Sequence, residues 1–101
     1  MNLQEIDNKT LEQLRADHAD IAVLLTSPFC GTCQVAEKML TVVQAAKPTY
    51  SLYKINANFI AQQLEQWQIT TVPALLIFKQ GNLHETLLTM YSVSYLYEKL
   101  Q

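Results

Sequence analysis

The two cysteines of this 101-residue chain lie close together, in Cys30-Gly31-Thr32-Cys33. An apolar run precedes them and a segment with helical periodicity follows, so we expect the pair at the start of a helix. The first N–H groups of a helix have no partner within it, and its N-terminus is the positive end of the helix dipole. Both features favour a thiolate over a thiol. Because one helical turn brings the two sulfurs within bonding distance, the spacing predicts reversible thiol–disulfide chemistry.

A metal site or a pair of structural thiols is the alternative interpretation of the same cysteines. Zinc needs four ligands, usually from a second Cys pair or from paired histidines. His18 and His84 are single and far apart in the sequence, so we expect no metal. We interpret Cys30, the more exposed position at the helix start, as the nucleophile. Cys33, one turn into the helix, is then the resolving thiol that attacks the mixed disulfide.

The composition fits a single domain over residues 1–101, and half of the residues are hydrophobic. A formal net charge of −2 gives no reason to expect nucleic acid or an anionic membrane as a partner. No apolar run approaches the length of a membrane span. The first residues carry neither a basic region nor an apolar signal core, and disulfide-stapled secreted domains normally contain more cysteines. These observations predict a cytoplasmic protein.

The hydrophobic pattern predicts an α/β fold with a mixed sheet, helices on both sheet faces and the element order βαβαβαββα. Strands are predicted at 3–6, 21–25, 50–56, 74–78 and 83–88. Two helices are predicted at 8–15 and from the cysteine motif to Lys47-Pro48. A third is predicted after a cap at Asn58, and a fourth around Val93, Leu96, Tyr97 and Leu100. Among the tyrosines near the C-terminus, only Tyr97 fits the core stripe of the last helix.

With these elements in place, the chain resembles the thioredoxin family over nearly its whole length. The landmarks, in order, are Pro28-Phe29 before the cysteine motif, Lys54-Ile55-Asn56, Thr71-Val72-Pro73 before an apolar strand, and Phe78-Lys79-Gln80-Gly81-Asn82. The resemblance implies the thioredoxin fold and a redox-active Cys30–Cys33 disulfide. It implies disulfide-containing proteins as substrates and no bound cofactor. Reducing equivalents would come from NADPH through a thioredoxin reductase-type flavoprotein.

The resemblance also implies a substrate groove beside the cysteines. The Val72–Pro73 peptide is expected to be cis, with Pro73 against the sulfurs and the Val72 backbone free to pair with an extended substrate. A trans proline that merely starts a strand is the alternative. Phe29, Gly31, Thr32 and Met90 are the other expected substrate contacts.

Several positions depart from the family pattern, and two of them bear directly on the chemistry. Leu24 stands where the family usually has a buried aspartate that is thought to accept the proton of the resolving thiol. Lys54 is thereby left without its usual partner, and deprotonation of Cys33 should be slower or rely on water. Thr32 stands where reductases usually carry proline, and its hydroxyl can donate a hydrogen bond to a thiolate. That bond would stabilise the reduced form and make the disulfide more oxidising.

These observations favour a protein-disulfide reductase, expected to be a monomer, with a dimer as the alternative. A thiol oxidant or isomerase ranks lower, because no signal sequence directs the chain to an oxidising compartment. The main alternative is a redox-sensing adaptor or binding module with weak or no turnover, which the loss of the buried acid favours.

Overall fold

The computed structural model describes residues 3–101 as one mixed β-sheet flanked by helices. The strands are β1 (Gln4–Glu5), β2 (Ile21–Thr26), β3 (Ser51–Asn56), β4 (Ala74–Lys79) and β5 (Asn82–Leu87). The α-helices are α1 (Asn8–Ala16), α2 (Gly31–Ala46), α3 (Ala61–Trp67) and α4 (Val93–Lys99), and a 3₁₀ turn at Ala57–Ile60 leads into α3. The element order agrees with the predicted one.

The sheet has the strand order β1-β3-β2-β4-β5. Strands β1, β3 and β2 run parallel, whereas β4 is antiparallel to β2 and to β5. The continuous apolar runs in β2 and β4 follow from this order, because both central strands are covered on their two faces. The predicted mixed sheet is therefore confirmed, and the end of β2 leads directly into the cysteine motif.

The helices cover the two sheet faces in pairs. Helices α2 and α4 pack on one face, where Leu24, Leu40 and Leu96 belong to a common buried cluster. Leu11 of α1 and Ile60 of the turn before α3 belong to the cluster on the other face. None of the helices within residues 3–101 has both the length and the apolar character needed to cross a membrane.

Side-chain caps set the beginnings of the outer helices. Asp7 accepts a 2.8 Å hydrogen bond from the N–H of Thr10 at the start of α1, and this bond lowers the pKa of the Asp7 carboxyl. Ser92 accepts a 3.0 Å bond from the N–H of Tyr95 at the start of α4. Helix α2 ends at Ala46, as the following Lys47-Pro48 predicts.

Three sequence predictions need correction. The predicted cap at Asn58 is wrong, because Asn56 accepts the N–H of Asn58 and α3 begins only after the 3₁₀ turn. The first strand is shorter than 3–6, since only Gln4 and Glu5 pair with β3. Tyr97 is 38% exposed, with Lys47 Nζ over its ring at 4.3 Å, whereas Tyr95 packs against the core of the α2 and α4 face.

Candidate active site

The cysteine motif sits where β2 ends and α2 begins. Cys30 is the N-cap of α2, in extended backbone conformation, and its Sγ accepts a 3.1 Å hydrogen bond from the N–H of Cys33. The sulfur thus takes the place of the oxygen acceptor usual at this position. Cys30 and Cys33 form a disulfide, with their Cα atoms 5.2 Å apart. The predicted position of the pair at a helix start is confirmed.

The two sulfur-bearing residues differ in accessibility. Cys30 is partly exposed, whereas Cys33 is only 3% exposed. Such a difference fits an outer thiol that meets the substrate and an inner one that reacts only with its neighbour. The Thr32 Oγ1 lies 3.5 Å from the Sγ of Cys30. A disulfide sulfur carries no hydrogen, so the hydroxyl is the donor. The bond to the thiolate of the reduced form stays a prediction.

The residue before the nucleophile has an unusual backbone. Phe29 has a φ of 62° and is fully exposed to solvent. An aromatic residue in the left-handed region is a conformational outlier, which is common near functional sites. Phe29 therefore offers a free aromatic surface directly beside Cys30. Its predicted role in substrate binding stays a prediction.

The Val72–Pro73 peptide is cis, as expected. The side chain of Val72 packs against the cluster under α1 and α3. Within residues 3–101, the Val72 backbone forms no hydrogen bond to another residue. The backbone of Val72, which precedes β4, is therefore available to an extended chain.

An apolar groove of about 380 Å³ reaches Thr32, whose hydroxyl contacts the Cys30 sulfur. It is lined by Thr32, Val35, Ala36, Met39, Pro73, Leu88, Thr89 and Met90. Three of the predicted substrate contacts, namely Thr32, Pro73 and Met90, meet there, while Phe29, Gly31 and Val72 lie outside the lining. Sequence reasoning missed Val35 and Met39, although their helical spacing from Thr32 could have placed them on this face.

An ion pair lies next to the position where the family usually has its buried aspartate. Leu24 is fully buried and pairs in register with Lys54 on β3. Lys54 Nζ donates a 2.9 Å hydrogen bond to Glu37 Oε2 on α2. Lys54 thus has a carboxylate partner from a different element, which sequence reasoning did not identify.

The histidines do not contribute to this site. His18 precedes β2, at the strand end opposite the cysteines, and its Nδ1 lies 3.4 Å from the carbonyl oxygen of Gln80. His84 lies within β5. Across residues 3–101, no three His, Cys, Asp or Glu side chains come together in a way that could hold a metal ion.

The strand order and the cysteine pair at the start of α2, beside a cis-proline, define a thioredoxin-like oxidoreductase fold. The family model for thioredoxin matches residues 3–100, and the chain belongs to the thioredoxin family. It is 42% identical over 96 residues to the thioredoxin-like protein YusE of Bacillus subtilis, covering 92% of this chain and 91% of that protein.

Solved structures show the same fold at lower sequence identity. A mutant thioredoxin from Halobacterium salinarum superposes with a TM-score of 0.78 at 19% identity, covering 96% of this chain and 86% of that one. Oxidised mitochondrial thioredoxin 3 from Saccharomyces cerevisiae gives a TM-score of 0.78 at 15% identity, with coverages of 97% and 92%. The predicted thioredoxin fold is confirmed.

Proposed function

We propose that this protein is a protein-disulfide reductase that works through the Cys30–Cys33 pair. The observation that carries the proposal is a partly exposed Cys30 at a helix N-terminus, in contact with Thr32, which lines an apolar groove together with Pro73. A reactive sulfur near an uncharged groove and the unpaired backbone of Val72 suits an extended polypeptide better than a small charged disulfide.

The reaction consists of two thiol–disulfide exchanges. The thiolate of reduced Cys30 attacks one sulfur of the substrate disulfide, forming a mixed disulfide and releasing the first substrate thiolate. The thiolate of Cys33 then attacks Cys30 Sγ, breaking the mixed disulfide and releasing the second thiolate. The two released thiolates take up protons, so the substrate gains two electrons as the Cys30–Cys33 disulfide forms.

The cycle needs an electron donor that restores the dithiol. We propose NADPH as the source, through a flavoprotein of the thioredoxin reductase type, with the protein acting as a monomer in the cytoplasm. Two observations support this proposal. The chain belongs to the thioredoxin family. Both of its cysteines belong to the redox pair, so none forms a separate structural disulfide.

Insulin reduction tests this proposal. Precipitation of insulin chains is followed first with dithiothreitol and then with NADPH and a thioredoxin reductase. We expect turnover with both donors, and its loss in Cys30→Ser and in Cys33→Ser. Wild-type protein that does not accelerate insulin reduction above the rate with dithiothreitol alone contradicts the proposal.

Capture of substrates identifies the nucleophile. Cys33→Ser should accumulate mixed disulfides with protein substrates through Cys30, because the resolving thiol is missing. Cys30→Ser is the matched control and should capture few or none, since Cys33 is buried. If Cys30→Ser captures as much protein as Cys33→Ser, the assignment of Cys30 as nucleophile is wrong.

A redox-sensing adaptor with little turnover is the second candidate function. The specific observation in its favour is Leu24, fully buried where the family usually places the acid that assists the resolving thiol. An adaptor would change its binding partners with the redox state of Cys30 and Cys33, yet reduce insulin slowly with either donor. The insulin assay therefore separates the two functions.

A further inference from the structure

Cys33 lies in surroundings that disfavour its ionisation. Its side chain is 3% exposed, on the face of α2 that also buries Ala36 and Leu40. Leu24 belongs to the apolar cluster under this helix. A thiol among apolar groups gives up its proton less readily than one in water, yet only the thiolate attacks a disulfide. Cys33 therefore needs a nearby group that takes its proton.

Glu37 is placed one helical turn after Cys33. Residues at i and i+4 of a helix lie one above the other, with Cβ atoms about 5–6 Å apart. Side chains of a helix lean towards its N-terminus, so the carboxylate of Glu37 leans back over the turn that holds Cys33. It is the carboxylate on α2 nearest in sequence to the resolving thiol.

Two hydrogen bonds hold the Glu37 carboxylate in place and leave one oxygen available. Oε2 accepts the Lys54 Nζ at 2.9 Å and the backbone N–H of Leu3 at 3.2 Å. The Lys54 and Glu37 side chains are 19% and 16% exposed. Oε1 takes part in neither bond. In residues 3–101, no buried side-chain oxygen lacks a hydrogen-bond partner, so Oε1 is in contact with solvent. It can accept a proton directly or through one water molecule.

We propose that Glu37, positioned by Lys54, accepts the proton of Cys33 when the mixed disulfide is resolved. The inference rests on the proposed reductase function. In this step the S–H bond of Cys33 breaks and an O–H bond forms on the Glu37 carboxylate. The new thiolate then attacks Cys30 Sγ and expels the substrate thiolate, and the proton passes from Glu37 to solvent or to the departing thiolate. Atoms and electrons balance without a further reactant.

The other titratable groups around this site are few. Lys54 comes from β3, and Glu5 of β1 lies opposite it in the strand register but is exposed. Tyr95 of α4 and Tyr50 pack against the same core face, and burial raises the pKa of Tyr50 above its ordinary value, so this phenol carries no charge near pH 7. Strand β2 contributes no titratable side chain. On α2, Lys38 is exposed beside Glu37. Glu37 is thus the hydrogen-bonded carboxylate of the site.

The two exchange steps can be followed separately with dithiobis-nitrobenzoate, a small aromatic disulfide. Reduced protein in excess releases one coloured thiolate when Cys30 attacks and a second when Cys33 resolves the adduct. In Glu37→Gln we expect the rate of the first phase to be unchanged and the rate of the second phase to fall about tenfold near pH 7. This effect is smaller than the effect of removing a fully aligned general base. The difference should shrink as the pH rises, because hydroxide replaces the missing acceptor.

Controls distinguish this role from a structural one. Glu85→Gln, which breaks the 2.8 Å ion pair with Lys99, should leave both phases unchanged. Glu37→Asp retains a carboxylate and should recover part of the second-phase rate. An unchanged second phase in Glu37→Gln overturns the proposal, as does a slowing by the same factor at every pH. A wild-type protein that releases no first thiolate overturns the proposed function itself, and the inference with it.

Discussion

At the scale of single residues, the sulfur of Cys30 is surrounded by donors from its own helix. The N–H of Cys33 lies 3.1 Å away and the Thr32 hydroxyl 3.5 Å away. Both contacts become more favourable when the sulfur carries a negative charge, because hydrogen bonds to ions are stronger than those to neutral groups. The helix start therefore stabilises the reduced form of the pair.

Replacement of Thr32 should make the protein a stronger reductant. Thr32→Val keeps the side-chain shape but removes the hydrogen bond to the Cys30 thiolate. At this distance we take the contribution of that hydrogen bond to the stability of the thiolate as about 1 kcal/mol. The reduction potential should then fall by about 20 mV. Equilibration with dithiothreitol or glutathione redox buffers measures it. Thr41→Val is the control, since the Thr41 hydroxyl donates to the carbonyl oxygen of Lys38 instead. An equal shift in both variants contradicts the assignment.

Leu24 offers a second test of proton transfer from Cys33. Leu24→Asp places a carboxylate on β2 in register with Lys54 and should raise the rate of disulfide reduction severalfold. Burial of the new charge should cost several kcal/mol of stability. Leu24→Asn, which has similar shape and no charge, is the control for the rate. An unchanged or lower rate in a correctly folded Leu24→Asp variant contradicts the idea that acceptor supply limits the step.

Residue-level features differ in how far the sequence could predict them. The contact of Thr32 with Cys30 was predictable, because both lie within one helical turn. The ion pair of Lys54 with Glu37 was not, because it depends on the position of α2 over β3. The same holds for Tyr95 and Tyr97, whose burial depends on the rotation of α4 against α2.

At the scale of elements, the buried strands were the easiest to predict. The apolar runs of β2 and β4 are long and uninterrupted, since both strands are central. The edges were harder: β1 has only two paired residues, and a 3₁₀ turn stands between β3 and α3. Short elements at a sheet edge have little periodicity, and tertiary contacts decide their limits.

The β4–β5 hairpin is anchored to the end of α1 through Gly81. This residue has a φ of 83°, its N–H donates to Ala19 O at 3.1 Å, and its carbonyl accepts Arg15 Nε at 3.0 Å. A Cβ at Gly81 would collide with the Arg15 carbonyl oxygen. The close approach of hairpin and helix therefore requires glycine.

Gly81→Ala should lower the free energy of unfolding by about 3 kcal/mol, from backbone strain and the loss of a hydrogen bond. Urea denaturation measures the change. Gly31→Ala is the matched control, because a Cβ there meets no atom within 4 Å, and its effect should stay within about 0.5 kcal/mol. Equal losses of unfolding free energy in the two variants would show that the hairpin does not depend on the close contact between Gly81 and the end of α1.

At the scale of the entire protein surface, three exposed apolar side chains lie next to Cys30 or at the groove. Phe29 is fully exposed, and Val35 and Leu88 are 58% and 60% exposed at the groove. Among residues 3–101, no charged side chain lines this groove. Apolar area that a substrate covers contributes to binding in proportion to its size. We therefore expect this face to bind substrates through apolar contact rather than through charge.

Two valines on the same helix test which face binds the substrate. Val35 and Val42 both lie on α2 and are 58% and 55% exposed, but only Val35 lines the groove. Val35→Lys should lower kcat/KM for insulin about tenfold, mainly through KM, because a charge replaces roughly 1.4 kcal/mol of apolar contact. Val42→Lys should leave kcat/KM within about twofold, since a surface substitution of this kind away from the groove has little effect. Steady-state kinetics with dithiothreitol as donor measures both variants. Equal losses would place the binding surface elsewhere on α2, whereas a loss confined to Val35→Lys identifies the groove as the substrate-binding face.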